Sequence, residues 1–228
     1  MRDLLIVVTT WLPPGGEEQR RDAFWSALNS WEKHLKFNGK IRIHIADDGT
    51  EGEDAQRLAP KWALWPVTVS HGQREGVGAS LNRGMADAHE NEIVAYFVDD
   101  WQLLEDLDLD PWVKLFDSVP NTGFVRLGPP HPGISGTVLP VPQSEREWAL
   151  RLDRHHYAFS FRPMLLRPQF WRDLGPFAEG ESSLECERLY NERFCQQAAW
   201  LGVLALPHPF DHIYTTELSA MRPAAVTV

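Results

Sequence analysis

The run Glu92-Ile93-Val94-Ala95-Tyr96-Phe97-Val98, broken off by Asp99-Asp100, constrains this chain more than any other stretch. It is apolar, β-branched and aromatic without a polar face for water, so it reads as a strand buried on both sides, in the interior of a parallel sheet. Such a strand needs helices above and below it, which sets an α/β class. The two carboxylates then emerge at the strand's carboxyl end, where open α/β sheets form their ligand crevice. Adjacent Asp residues there can hold a hard divalent cation through oxygen ligands. The same pair would also serve to cap a helix or fill a turn.

Shorter signals repeat the pattern. Leu4-Leu5-Ile6-Val7-Val8-Thr9-Thr10 is an apolar run closed by hydroxyls, a buried first strand. Phe24, Ala27, Leu28, Trp31 and Leu35 recur at helical spacing, which predicts a helix over 17–36. Ile41 to Ala46 alternates as a strand and stops at Asp47-Asp48-Gly49-Thr50, a second acidic pair at a strand tip. A helix over 53–62 and a strand over 67–70 follow. The stretch from His71 to Ala88 is then a glycine-bearing loop entering a small-residue helix whose start can offer N–H groups, with Arg74 or Arg83, to an anion. It lacks the spacing of a dinucleotide fingerprint and the lysine of a phosphate-binding loop, so both are set aside.

Composition narrows the class. With 228 residues, 43% of them hydrophobic, the chain can bury a large core and is expected to form one domain, 1–228. A formal net charge of −10 disfavours passive binding to nucleic acid or an anionic membrane. Cys186 and Cys195, nine residues apart on one predicted helix, lie about 13 Å from each other and cannot bridge. Unpaired thiols, no apolar run long enough to span a membrane and no signal peptide lead to the expectation of a soluble, cytoplasmic protein.

Strand with Thr-Thr, strand with Asp-Asp-Gly-Thr, glycine loop with a helical Asn, then strand with Asp-Asp: taken in this order, residues 1–104 resemble the nucleotide-sugar-binding half of the family-2-like GT-A fold glycosyltransferases. The resemblance implies a Rossmann-like three-layer sandwich with a mostly parallel central sheet. It also implies that Thr9 and Thr10 border the nucleoside base, that Asp47 or Asp48 hydrogen-bonds it, and that Asp99 meets the ribose. Asp100 would hold a Mn²⁺ or Mg²⁺ ion on the diphosphate, with Arg74, Asn82 and Arg83 closing over the nucleotide. Two positions depart from the family pattern: Val98 stands where a literal D-x-D has its first carboxylate, and Leu81 precedes Asn82 where a basic residue is common.

Residues 105–228 resemble the acceptor half of the same family more loosely. A helix is expected over 110–118 and strands over 123–127 and 203–206. Between them, a Gly- and Pro-rich irregular loop would run from Gly128 to Pro142. The segment His155 to Arg167 resembles the return to the sheet that lines the acceptor side. Phe170 to Phe177 and the Glu residues after it resemble the run into a catalytic helix, with Glu187, or Glu185 as its rival, as the base that takes the acceptor's proton. The two lie two apart on a helix, so at most one faces the donor. His212, before Ile213, resembles the late His that completes the metal site; His208 is the alternative.

The activity this implies is inverting transfer of a sugar from a nucleoside diphosphate sugar, with UDP-sugar favoured by the family, to a hydroxyl acceptor that the sequence does not specify. Two alternatives stand beside it. One is a non-catalytic nucleotide-sugar-binding descendant of the fold; the other is a nucleotidyltransferase, for which the loop after the first strand lacks a base before Arg20.

Overall fold

The first strand, β1 (Asp3–Thr10), is buried along nearly its whole length, and its side chains alternate between two cores. Leu4, Ile6 and Val8 join one apolar cluster while Leu5 and Val7 join another, the period-2 pattern of a strand covered on both faces. This is the computed structural model of the chain, which describes residues 2–13, 18–58, 64–130, 133–142, 147–154, 158–208 and 210–212.

After β1 come α1 (Glu18–His34), β2 (Leu35–Lys36), β3 (Ile41–Asp47), α2 (Gly52–Arg57), β4 (Val67–His71) and α3 (Gly76–Ala86). The acidic run forms β5 (Glu92–Val98), a two-residue turn at Asp99 and Asp100, and β6 (Trp101–Leu103). The second half carries β7 (Leu107–Asp108), α4 (Asp110–Ser118), β8 (Thr122–Arg126), β9 (Gly136–Pro140), β10 (Trp148–Leu152) and β11 (Met164–Leu166). It continues through α5 (Pro168–Leu174), α6 (Ser183–Gln196), β12 (Leu201–Leu206) and β13 (Phe210–His212).

Nine strands form the central sheet in the order β4-β3-β1-β5-β11-β8-β12-β10-β9. The first four are mutually parallel, β11 runs antiparallel to both its neighbours, β12 is parallel to β8, and β10 and β9 close the far edge antiparallel. Phe24, Ala27, Leu28 and Trp31 of α1, with Trp112, Val113 and Phe116 of α4, cover one face. Leu81 and Met85 of α3, Phe170 and Leu174 of α5, and Tyr190 and Phe194 of α6 cover the other. The result is a three-layer α/β/α arrangement.

From β1 the chain winds outward through β3 to β4, then returns to place β5 on the opposite side of β1. The order reverses between β1 and β5, which is the switch point where such sheets open a crevice at their carboxyl ends. Both predicted acidic tips and the Thr pair lie at that end.

Three local expectations change. The helix predicted over 53–62 is α2, six residues long, and 59–63 lie outside the described residues. The loop expected from Gly128 to Pro142 contains β9, whose hydrogen bonds are supplied by β10, a strand the sequence reading did not find. His155, His156 and Tyr157 lie outside the described residues. No helix of the described residues is long and apolar enough to cross a membrane, and neither cysteine is bridged.

Candidate active site

A cavity of about 440 Å³ opens at the switch point. Thr9, Thr10 and Trp11 follow from β1, Val98, Asp99 and Asp100 from β5, Ser183, Leu184 and Glu187 from α6, and Arg20, Asp48 and His212 complete much of the wall.

Asp99 is the buried carboxylate of the site, 3% exposed. It accepts from the Thr10 hydroxyl at 2.7 Å and from the Arg20 guanidinium at 3.2 Å. Burial raises its pKa from 3.8 to about 6, while the Arg20 charge pulls it down and the Asp100 charge pushes it up. Arg20 itself is fixed by donating to the Trp11 carbonyl at 2.9 Å. Its position one helical turn into α1 gave no motif to read, so its part in the site comes from the tertiary structure.

Asp100 meets His212 because β13 pairs antiparallel with β6, setting His212 opposite Trp101. Phe210 anchors the short strand by packing edge-on against Phe97, ring centroids 5.0 Å apart. His212 Nε2 lies 3.1 Å from Asp100 Oδ2, and Asp100 Oδ1 is buried without a hydrogen-bond partner. Two cis ligands about 2.1 Å from an octahedral ion stand about 3 Å apart, so the spacing of the pair and the orphaned oxygen are compatible with a divalent cation. Among the described residues no three His, Cys, Asp or Glu side chains converge as a self-sufficient metal site.

Glu187 stands on α6 in the cavity wall. Its carboxylate accepts the Phe161 N–H at 2.6 Å. Burial pushes its pKa up, against the pull of that N–H and of the Arg126 and Arg162 charges. One turn further on, Asn191 accepts the Phe159 N–H at 2.9 Å, so the same face of α6 ties down the segment leading into β11. Tyr96, fully buried between the layers, has its pKa raised by burial and by the charges of Asp99, Asp100 and Glu187 together, which marks the three carboxylates as sharing one electrostatic neighbourhood.

The other sequence candidates are held elsewhere. Asp47 is fully buried and turns back on its own loop, accepting the Thr50 N–H at 3.0 Å and facing His71 Nδ1 at 3.0 Å. Asp48 lines the cavity, yet its carboxylate accepts the N–H groups of Glu75 and Gly76 and so seats the start of α3. Arg83 donates to the Asp47 carbonyl, Ser80 and Glu75. Asn82 bonds the segment before α6: it donates to the Phe177 carbonyl and Glu179 and accepts from the Phe177 N–H and Trp171 Nε1. Neither Arg83 nor Asn82 is among the cavity-lining residues. Arg74, in the left-handed region at φ 60°, lays its guanidinium 4.0 Å from the centre of the Trp11 ring, behind rather than in the wall. Glu185 points away to Arg188 at the surface, and that pairing lowers its pKa. The α6 periodicity separates it from Glu187, and Ser182 caps the helix through the Glu185 N–H.

The switch-point crevice with its acidic strand tip, bounded by α6, belongs to a GT-A-type glycosyltransferase fold. No protein-family model and no curated protein sequence matches the chain. Among solved structures it is similar to Staphylococcus aureus TarS 1–349 in complex with UDP-GlcNAc, at TM-score 0.60 and 15% identity, over 89% of this chain and 55% of that one. It is also similar to GalNAc-T7 with UDP, GalNAc and Mn²⁺, at TM-score 0.66 and 12% identity, over 95% of this chain and 44% of that one. The chain thus spans about half the length of the structures it matches.

Proposed function

We propose that the chain transfers a glycosyl group from a nucleoside diphosphate sugar to an acceptor hydroxyl, with inversion at the anomeric carbon. The observation that carries this reading is the placement of Asp99, the Asp100–His212 pair and Glu187 around one cavity. The nucleoside lies on the β1 side, where the flat face of Trp11, backed by the Arg74 cation, suits a base. Asp99, pre-oriented by Thr10 and Arg20, accepts from ribose hydroxyls. Asp100 and His212 would hold a Mn²⁺ or Mg²⁺ ion, and such an ion would supply charge neutralisation for the leaving diphosphate. On the α6 side, Glu187 takes the proton of the acceptor hydroxyl as its oxygen attacks the anomeric carbon, the bond to the diphosphate oxygen breaks and the nucleoside diphosphate departs. A carboxylate with a raised pKa suits that task because its proton affinity lies nearer working pH.

The test is a thermal-shift panel of nucleoside diphosphate sugars and free diphosphates, each with Mn²⁺ and with chelator, followed by donor-hydrolysis assays on those that bind. A metal-dependent shift with one nucleotide, and slow release of that nucleotide from its sugar, supports the reading. Binding with no turnover of any donor turns it toward the non-catalytic descendant. Pyrophosphate release from a sugar phosphate and a nucleoside triphosphate turns it toward nucleotidyl transfer, and no shift at all removes it.

A further inference from the structure

Asp99 and Asp100 at the tip of β5, with Arg20 of α1, make one stretch of the crevice wall polar. The stretch built by α3, α6 and the segment before β11 differs, because beside Glu187 it presents Val77, Phe161 and Leu184. Leu184 stands in the first turn of α6 and is 70% exposed. Three positions before Glu187, it shares the helix face that carries that carboxylate. Val77 and Phe161 pack against the core beneath α3, α5 and α6, whereas Leu184 belongs to neither apolar cluster. The Phe161 ring is fixed by Tyr96, Phe159 and Phe177, edge-on at centroid distances of 6.1, 5.8 and 5.5 Å. Its N–H is the one that Glu187 accepts, so aromatic wall and carboxylate are held as a unit. Among the described residues of this stretch, the side chains that can hydrogen-bond are Ser80, Ser183 and Glu187, and the Ser80 hydroxyl already accepts from Arg83 at 3.0 Å. A single exposed leucine is ordinary on a protein surface. One that continues the apolar lining of a cavity, on the helix face of the proposed base, is a contact surface for what the cavity takes in.

Resting on the transferase reading, we propose that the acceptor bears its hydroxyl on an apolar alkyl or aryl body, and that Leu184, with Val77 and Phe161, selects it. Side chains three apart on a helix have their Cβ atoms about 5–6 Å from each other. A body one ring wide seated on Leu184 therefore leaves an attached hydroxyl at the Glu187 carboxylate. Covering these three side chains removes apolar surface from water, which favours an apolar body without requiring a directed contact. A fully hydroxylated ring in the same place would turn hydroxyls toward Val77, Phe161 and Leu184, and hydroxyls stripped of water without a partner are disfavoured. The selection thus comes from what the wall withholds as much as from what it offers.

The experiment uses the full chain with Mn²⁺ and the nucleoside diphosphate sugar that raises its Tm, and compares transfer to cyclohexylmethanol and to glucose. Both probes carry a hydroxymethyl group on a six-membered ring, and they differ in whether that ring is apolar or hydroxylated. Wild type prefers cyclohexylmethanol by tenfold or more in kcat/KM. Leu184→Gln, a helix-compatible change at an exposed position, narrows the preference to within threefold, and Leu184→Met keeps it. The nucleotide-induced rise in Tm of each variant reports an intact fold and donor pocket. Equal use of the two probes, a preference for glucose, or transfer to neither overturns the inference while leaving the transferase reading in place. A preference that survives unchanged in Leu184→Gln overturns the assignment to this wall. A wild-type protein whose Tm does not respond to any nucleotide overturns the reading on which the inference rests.

Discussion

Glu187 and Glu185 are two positions apart with the same side chain, yet one is buried against a backbone N–H and the other sits at the surface beside Arg188. Glu187→Gln is expected to lower transfer by about 10²–10⁴-fold, with nucleotide affinity kept and the acid limb of the pH–rate profile lost. That limb in wild type lies above the ordinary carboxylate value of 4.5, because burial raises the Glu187 pKa and the base works only when ionised. Glu185→Gln should leave kcat/KM within about twofold, as surface side chains of this kind contribute little. Asp99 provides a second titration. Its pKa is raised from 3.8 to about 6, so the ionised form is the disfavoured one in the fold. Its cost is absent below the unfolded value and complete above the folded one. The Tm of Asp99→Asn minus that of wild type should therefore grow as pH rises from 3.8 to about 6 and stay level beyond; a difference that shrinks over this window would refute the assignment.

At the level of elements, α3 gives Val77 and Ser80 to the cavity wall, and the segment before α6 holds that helix in place. Gly78 is where they meet: a Cβ there would stand 1.9 Å from the Ala178 carbonyl oxygen and 3.1 Å from Cys186 Sγ. Gly78→Ala must push the helix off its neighbour, and overpacking of this kind costs about 1–3 kcal/mol, measurable by denaturant unfolding. Asn82 closes the same joint with four hydrogen bonds. Asn82→Ala leaves the N–H and carbonyl of the buried Phe177 without this partner, at about 1–3 kcal/mol, and Tm is expected to fall by several degrees while the Kd for nucleotide stays within about twofold. A large loss of nucleotide affinity at unchanged Tm would instead return Asn82 to the binding role that its place in the motif implied.

For the whole molecule, the site is assembled from both ends of the chain. Thr9 and Arg20 come from its start, Glu187 and His212 from its last quarter, and the sheet order brings them to one crevice. A ligand that bridges β1, β5 and α6 binds only the folded arrangement, and a hundredfold excess over Kd adds about 2.7 kcal/mol of stability. For a chain of this size that is a rise of roughly 5–10 °C in Tm, expected with nucleotide and Mn²⁺ and reduced by chelator or by Asp100→Asn. Against a formal net charge of −10, Arg20 places a cation in the wall of this crevice.

The apolar runs ending at Thr10 and Val98 determined by themselves that there would be a covered parallel block, because a strand with no polar face has only one place to go, and the alternating run ending at Asp47 added a second acidic strand tip. They also made Asp99, Asp100 and Thr10 legible as residues of the crevice. What a carboxylate at a tip then bonds to was not written locally. Asp47 and Asp48 look alike in sequence; the first folds into its own turn and the second seats a helix. Arg83 and Asn82 lie on the expected helix, yet their side chains reach the Asp47 carbonyl and the segment near Phe177. Arg20, Arg126 and Arg162 gave no motif, since their meaning lies in contacts with residues tens of positions away. The edge pair β9–β10 was equally silent, because a strand exposed along most of its length shows little alternation until a partner supplies its hydrogen bonds. Burial periodicity is a local property, carried by each residue's affinity for water; the direction of a polar side chain depends on which distant donors the finished fold brings within 3 Å.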